Sequence, residues 1–296
     1  MKVAASIVTY NPDLGSLKQN LESLLNQVEI VFIIDNASDN INDIKILLND
    51  YCDYDIELVE YKSNKGLAYA LNNALSLAND YKCDWIITMD QDSCISKGYT
   101  TECQRLIEII NNDKIGIICS EIRDKNVYDS SKLELYNLNE KTFNKEIACI
   151  TSGSFTNVKA GIACGGFDNS MFIDQIDYDF CFKLINGGFT IFKANNIFIL
   201  HELGKTVRKN LAGINYLTTN HSPKRLYYIY RNYFILRKNH INLISSNQEV
   251  KKWFKKQGLR LAYRPFKILF SEKDKFKKSK SIIVGIFEGL RTTLVK

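Results

Sequence analysis

Over the first ninety residues, apolar positions follow two alternating rhythms, one of strand length and one of helical spacing. Lys2–Tyr10 is an apolar run that stops at Asn11-Pro12-Asp13. Behind it Leu14, Leu17, Leu21, Leu24 and Leu25 recur at helical spacing, with Asp13 placed to cap the helix. Glu29–Ile34 reads as a second strand, closed by the turn Asp35-Asn36-Ala37-Ser38-Asp39. Asp39 is the next expected cap, before a stripe of Ile41, Ile44, Leu47 and Leu48. Asp55–Tyr61, an Ala/Leu-rich helix over Gly66–Tyr81, and the strand Asp84–Met89 complete the series. Strands alternating with helices imply right-handed crossovers and a mostly parallel sheet covered on both faces. The expected class is α/β.

The rhythm loosens afterwards. A helix is expected at about 99–112 and a strand at about 115–121, followed by a polar stretch with no assignable element. Residues 151–204 are punctuated by glycine, then carry a helix around 176–186 and two strand-like runs, 189–194 and 196–201. After Ser222-Pro223 the chain turns into basic, aromatic helix, so a boundary falls near 205–222. The expected domains are 1–221 and 222–296.

Composition narrows the class. A 45% hydrophobic content with three prolines and fifteen glycines is that of a globular chain with a sizeable core. No apolar run approaches the ~20 residues that span a bilayer, and Met1-Lys2 leads straight into a strand, so no leader is expected. Eight scattered cysteines without a CxxC pair suit thiols in a reducing, cytoplasmic compartment. Charge changes the picture most. Residues 1–221 carry 20 Lys/Arg against 29 Asp/Glu, and residues 222–296 carry 19 against 4. A tail so basic seeks polyanions, either nucleic acid or an anionic membrane face.

In a parallel sheet ligands gather at the carboxyl ends of the strands. Those ends here are Thr9-Tyr10-Asn11, Asp35-Asn36, the turn Ser63-Asn64-Lys65-Gly66, and Asp90-Gln91-Asp92, all polar. Two carboxylates as close as Asp90 and Asp92 repel when desolvated, at ~4 kcal/mol for a ~4 Å separation. A hard divalent cation reverses that sign and binds phosphate as well. A second acidic group, Asp168, Asp174, Asp177 and Asp179, falls within twelve residues around an expected helix start. Capping explains one or two of these acids more easily than all four. The ionised form of Asp177 is favoured at a helix N-terminus. His201 closes a strand, a position that suits either a satisfied structural histidine or a metal ligand.

Taken together, Ile7-Val8-Thr9-Tyr10-Asn11, Asp35-Asn36-Ala37-Ser38, Asn64-Lys65-Gly66, Asp90-Gln91-Asp92, Gly165-Gly166-Phe167-Asp168 and Asp177-x-Asp179-Phe180 resemble the inverting family-2 glycosyltransferases of the GT-A fold. The matches span roughly residues 3–204 in order. Asp90-Gln91-Asp92-Ser93, Phe172-Ile173-Asp174, Leu200-His201-x-Leu203-Gly204 and Tyr227-Tyr228 with Arg231-Asn232 look like the bacterial rhamnosyltransferases within it.

The resemblance implies a nucleotide-binding half at about 1–95, an acceptor half at about 96–221, and a basic helical extension over 222–296. Thr9, Tyr10, Asn11, Asp35, Asn64, Gly66, Asp90, Gln91 and Arg231 would bind the nucleotide sugar. Asp90, Asp92 and His201 would hold Mg²⁺ or Mn²⁺. Asp177 would be the catalytic base, and Ser152, Gly153 and Asp174 would lie on the acceptor side, with Asp174 the reserve base. Two departures stand out: Ile176 where many members have Glu, and Lys183 where Arg is usual. The implied reaction moves L-rhamnose from dTDP-L-rhamnose to a lipid-linked bacterial surface polysaccharide, peripherally on the inner face of the cell membrane.

Competing readings are the same chemistry with galactofuranose, glucose or N-acetylglucosamine, and a non-catalytic nucleotide-binding scaffold on the membrane. A nucleotidyltransferase or a dehydrogenase would want a glycine-rich loop after strand one, and Thr9-Tyr10-Asn11-Pro12 is not one. In the tail, Lys251-Lys252-Trp253-Phe254-Lys255-Lys256 and Tyr263–Phe270 interleave cations with bulky apolar groups. That composition suits an anionic lipid surface. No nucleic-acid recognition motif accompanies the charge.

Overall fold

The computed structural model describes residues 1–125, 142–201, 207–211, 214–218 and 220–294. Two compact units emerge, Met1–Phe172 with Phe180–Glu202, and Ile173–Asp179 with Leu203–Lys296.

The first unit is built on one sheet. β1 (Val3–Thr9), β2 (Ile30–Asp35), β3 (Ile56–Glu60) and β4 (Trp85–Asp90) are parallel, in the order β3-β2-β1-β4. They are joined by α1 (Leu14–Leu24), α2 (Ile41–Asn49) and α3 (Leu67–Asp80). Every residue of β1 and β2 is buried, the signature of strands covered on both faces. Asp13 caps α1 as expected, accepting the Ser16 N–H at 2.8 Å, and that bond holds its carboxyl below the usual range. Asp39 does not cap α2. Its N–H donates instead to Asn11 Oδ1, and Asn40 takes the cap position without a side-chain bond.

Beyond β4 the chain adds β5 (Cys94–Ile95), α4 (Tyr99–Ile110), β6 (Ile115–Asp124), β7 (Phe143–Glu146), β8 (Ser154–Asn157), α5 (Val158–Ala163), α6 (Ile176–Asn186) and β9 (Thr190–His201). The sheet continues from β4 as β8-β6-β9-β5, with β7 pairing on β9. β8 is antiparallel to β4 and β6, while β9 runs parallel to β6. The two runs expected at 189–194 and 196–201 are one strand. The polar Asn195-Asn196 pair that suggested a break coincides with a shift in the β6–β9 register, where Cys119 opposes Lys193 and Glu121 opposes Phe198. The core between sheet and helices includes Ile7, Leu21, Ile33, Ile87 and Ile199, with Trp85 stacked on Phe155 at 5.0 Å. Lys183 donates to the Gly166 carbonyl at 3.0 Å, a concrete role for the basic residue near the end of α6.

The second unit holds the hairpin β10 (Val207–Leu211) and β11 (Ile214–Thr218), then α7 (Pro223–Asn239), α8 (Ile241–Ser246), α9 (Gln248–Ser271) and α10 (Lys275–Leu294). Ser222 caps α7 and Pro223 opens it, the arrangement a helix start favours. α10 lies directly on α7. A Cβ at Gly285 would stand 2.5 Å from the Tyr227 carbonyl oxygen, and one at Gly289 2.8 Å from that of Arg231, so the two glycines permit the approach. Leu226, Ile229, Tyr230, Ile268 and Ile282 form the core. No helix among the described residues is long and apolar enough to cross a membrane.

Candidate active site

Sheet register gathers the N-terminal site residues. Thr9 lies opposite Asp35 and Val8 opposite Asp90, so three strand ends open on one edge. Asp35, only 1% exposed, accepts from the Thr9 hydroxyl at 2.9 Å, the Ser38 N–H at 2.8 Å and the Ser38 hydroxyl. A carboxylate has about four lone-pair sites, so these bonds orient it and leave little capacity for a ligand. Asn11, at φ 48, accepts from Asp39 and donates its own N–H to Ser38 Oγ. Tyr10 donates its N–H to Gln91 Oε1 at 2.8 Å, tying the first strand end to the fourth, and its ring is 50% exposed. Asn36 Oδ1 accepts the Lys65 N–H and Asn64 Oδ1 that of Gly66, which shapes the third turn.

The acidic strand end is organised by Ser93, quoted above only as part of a motif, by Ser152, assigned above to the acceptor side, and by Asn20, which the sequence reading passed over. Pairing of Cys94 with Leu200 puts Ser93 beside His201, and Ser93 Oγ shares a 2.8 Å hydrogen bond with His201 Nδ1. Ser152 donates to Ser93 Oγ at 2.9 Å and accepts the Asp90 N–H at 3.2 Å. The buried Asn20 of α1 donates to the Asp90 carbonyl at 2.6 Å. Around this chain Asp90 Oδ2 and Asp92 Oδ1 each lie 3.9 Å from His201 Nδ1.

Asp92 Oδ1 is buried and accepts no hydrogen bond. A buried acceptor left unsatisfied costs ~1–3 kcal/mol, more for a charged group. A bound cation removes that cost, and two carboxylates with an imidazole form a donor set suited to Mg²⁺ or Mn²⁺. By chemical type these residues suit such an ion. They stand as a loose set, and no group of three acidic, histidine or cysteine side chains among the described residues is closed to ligand geometry.

Ser152 also lines a cavity of about 340 Å³, with Glu121, Glu146, Lys193, Ser120 and Cys149 on its wall. Gly153, at φ 75, donates its N–H to the Thr88 carbonyl, and its own carbonyl accepts the Tyr99 hydroxyl.

Asp174, Asp177 and Arg231 lie in the second unit. The four acids of the 168–179 run have different surroundings. Asp168 caps a short 3-10 turn through the Ser170 N–H at 2.9 Å. Arg225 pairs with Asp174 at 3.1 Å, while burial outweighs that cation and raises the Asp174 carboxyl above its usual range. Asp179 accepts from His240 Nε2 at 2.9 Å, with both side chains buried. Asp177 sits half-buried in the first turn of α6. Glu202, Leu203 and Gly204, which follow His201 in the sequence motif, lie outside the described residues.

A family model described as Glycosyl transferase family 2 matches residues 5–166, more than half of the chain. The dTDP-rhamnosyl transferase RfbF of Shigella flexneri is 28% identical over 303 residues, covering 98% of this chain and 95% of that protein. Among solved structures, S. aureus TarS 1–349 in complex with UDP-GlcNAc aligns with a TM-score of 0.64 at 14% identity, over 99% of this chain and 82% of that one. The mannosyltransferase PcManGT from Pyrobaculum calidifontis, in complex with GDP-Man and Mn²⁺, aligns with a TM-score of 0.56 at 11% identity, over 99% and 87%. These structural likenesses concern the fold, which is GT-A. Sequence match and architecture agree: the chain belongs to glycosyl transferase family 2 and is an inverting, nucleotide-sugar-dependent glycosyltransferase.

Proposed function

We propose that this enzyme transfers L-rhamnose from dTDP-L-rhamnose to a lipid-linked bacterial surface polysaccharide. The sugar rests on one observation, the 28% identity to RfbF that runs through 98% of the chain, extension included. Thr9, Tyr10, Asn11, Asn64, Gly66 and Gln91 are assigned to the nucleoside side of the site, with Asp35 holding Thr9 and Ser38 beside it, and Arg231 is assigned to the diphosphate. Asp90, Asp92 and His201 hold Mg²⁺ or Mn²⁺, a role supported by the buried, unsatisfied Asp92 oxygen. When bound, the cation offsets the negative charge that grows on the departing diphosphate.

Asp177 takes the proton from an acceptor hydroxyl as that oxygen displaces the diphosphate at the anomeric carbon. Single displacement inverts the centre. Ser152 and Gly153 border the acceptor side, and the serines, carboxylates and lysine of the neighbouring cavity suit the hydroxyls of a glycan.

The extension carries the enzyme to an anionic membrane, on its inner face. On α9 the exposed Leu259, Tyr263, Phe266 and Phe270 recur at helical spacing along one stripe. On α10 Phe276, 93% exposed, continues through Ile283, Phe287 and Leu290 in a second stripe. Lys255, Lys256, Arg260 and Lys267, all exposed, accompany the first. Apolar stripes among cations are the pattern of an interfacial helix.

The test is a panel of nucleotide sugars assayed with Mn²⁺ for nucleoside diphosphate release, with and without chelator. Release from dTDP-L-rhamnose alone, lost on chelation and in Asp92→Asn, is expected. Preference for UDP-N-acetylglucosamine would remove the rhamnose assignment, and chelator-resistant turnover the metal.

A further inference from the structure

In the C-terminal unit, side chains of the extension converge on seven residues, Ile173–Asp179, the stretch that carries Asp177. The backbone there is strained. Asp174 at φ 64 and Gln175 at φ 67 occupy the left-handed region without being glycine. Such conformations persist only where surrounding groups over-determine them.

Four groups do so. Asn232 of α7, fully buried, donates both hydrogens of Nδ2 to carbonyls, Ile173 at 2.8 Å and Asp174 at 3.0 Å. Arg225, two turns earlier, grips the Asp174 carboxylate through Nε at 3.2 Å and Nη2 at 3.1 Å. His240, just past the end of α7, donates to Asp179. Trp253 of α9 meets Tyr178 edge-on at 4.8 Å. Residues 173, 174, 178 and 179 are therefore each held, and Asp177 lies between them.

An amide that spends two donors on consecutive carbonyls fixes the course of a backbone rather than filling space. A buried imidazole–carboxylate pair likewise fixes a direction, whereas apolar residues of equal volume would stabilise a fold at no greater cost. These contacts also give Asn232, the last residue of the Tyr227-Tyr228…Arg231-Asn232 motif, a physical purpose.

We infer that Asn232 and His240 are positioning residues for transfer, holding the 173–179 turn in the strained form that presents Asp177. The inference rests on Asp177 being the base. The extension is then part of the reaction machinery as well as a membrane contact.

The experiment uses the full chain with Asn232→Asp, His240→Leu, His240→Gln and Asp177→Asn. Asn232→Asp keeps the shape and replaces donors with acceptors, and His240→Gln returns an amide nitrogen at similar reach. Circular dichroism and melting curves establish folding, calorimetry gives dTDP affinity with Mn²⁺, and transfer assays give kcat. A displacement of ~1 Å at a reacting group costs ~10²-fold. Asn232→Asp and His240→Leu are therefore expected to lose ~10- to 100-fold in kcat, with dTDP affinity within ~2-fold and most of kcat recovered in His240→Gln.

Unchanged kcat in the folded variants overturns the inference. So does a parallel loss of kcat and dTDP affinity, or failure of His240→Gln to recover. Should Asn232→Asp not fold, the two His240 variants decide. Turnover by Asp177→Asn overturns the base assignment, and this inference with it. An inactive Asp177→Asn beside fully active Asn232 and His240 variants overturns only the positioning role.

Discussion

Replacing Gly66 by alanine tests the construction of the third strand-end turn. Gly66 precedes α3 at φ 89 and ψ 163, a region open essentially to glycine alone. An added Cβ would lie 2.6 Å from Phe172 Cδ2 and 2.8 Å from the Phe172 carbonyl oxygen. That oxygen is tethered, since it accepts the Leu67 N–H at 2.8 Å. Backbone strain contributes ~1–3 kcal/mol, and forcing a methyl into a packed contact adds ~1–3 kcal/mol.

Gly165 supplies the control: its φ is 82, yet nothing lies within 4 Å of a Cβ built on it. Gly165→Ala therefore reports strain without a clash, and the excess loss in Gly66→Ala sets an upper bound on the clash. For a unit of this size each kcal/mol moves the melting midpoint by ~2–4 °C. Gly66→Ala is expected to melt ~8–16 °C below the parent, and Gly165→Ala about half as far below. Scanning calorimetry gives both midpoints. Variants that melted within ~2 °C of each other would refute the packing argument, because the clash would then be worth under ~1 kcal/mol.

Three further outcomes are expected. Lys278 and Glu272 form a buried ion pair at 2.8 Å, so Lys278→Met alone should destabilise by ~3–5 kcal/mol and addition of Glu272→Leu should restore part of it, read by urea unfolding. The His221 imidazole is pushed down to about 4, chiefly by burial and then by Arg264 and Arg225. Between that value and the ordinary 6.5 the unfolded chain binds the extra proton, so its contribution is complete above pH 6.5 and is lost as pH falls toward 4. The ceiling is ~3 kcal/mol, reduced to ~1–2 kcal/mol by partial exposure, and His221→Asn should flatten that pH slope in urea titrations. Vesicle sedimentation should show binding to anionic but not neutral lipid, lost on combined Tyr263→Ser, Phe266→Ser, Phe270→Ser and Phe287→Ser replacement. Equal binding of that variant would dismiss the apolar stripes.

What the sequence discloses depends on how local the determinants are. β1 to β4 and their helices stand out because burial on both faces makes continuous apolar runs, bounded by Asp13 and by polar turns. β8 and α5, at four and six residues, are too short to show a period. β9 reads as two strands because Asn195-Asn196 interrupts the apolar pattern, and only pairing with its neighbours makes it one. The acids of the strand ends are visible as types, but their surroundings are not. Ser93 and His201 are 108 residues apart, and nothing nearer in the chain announces their bond. Asn232 and His240 meet their partners across some sixty residues, inside a segment that reads as plain basic helix. A polar residue in a buried helical position was the available signal, at Asn232 as at Asn20.

The charge of the extension divides into two populations with different work. Arg264 and Lys278 turn inward, and Arg225, itself exposed, is committed to Asp174. Arg225 and Arg264 both draw on Asp174, and burial lowers Arg264 as it raises Asp174, so each limits the cost of desolvating the other. Lys278 does the same for Glu272. Cations committed in this way are not available to a partner. Lys255, Lys256 and Arg260 turn outward, beside the rings of Tyr263, Phe266 and Phe270, which are exposed among the described residues. A solvated face would have no use for those rings, and a nucleic-acid groove would want them interleaved for stacking rather than aligned on one stripe. An anionic bilayer answers both features, with headgroups for the cations and acyl chains for the rings. α9, whose Trp253 meets Tyr178 of the 173–179 turn, would then also rest on the surface from which a lipid-linked acceptor is presented.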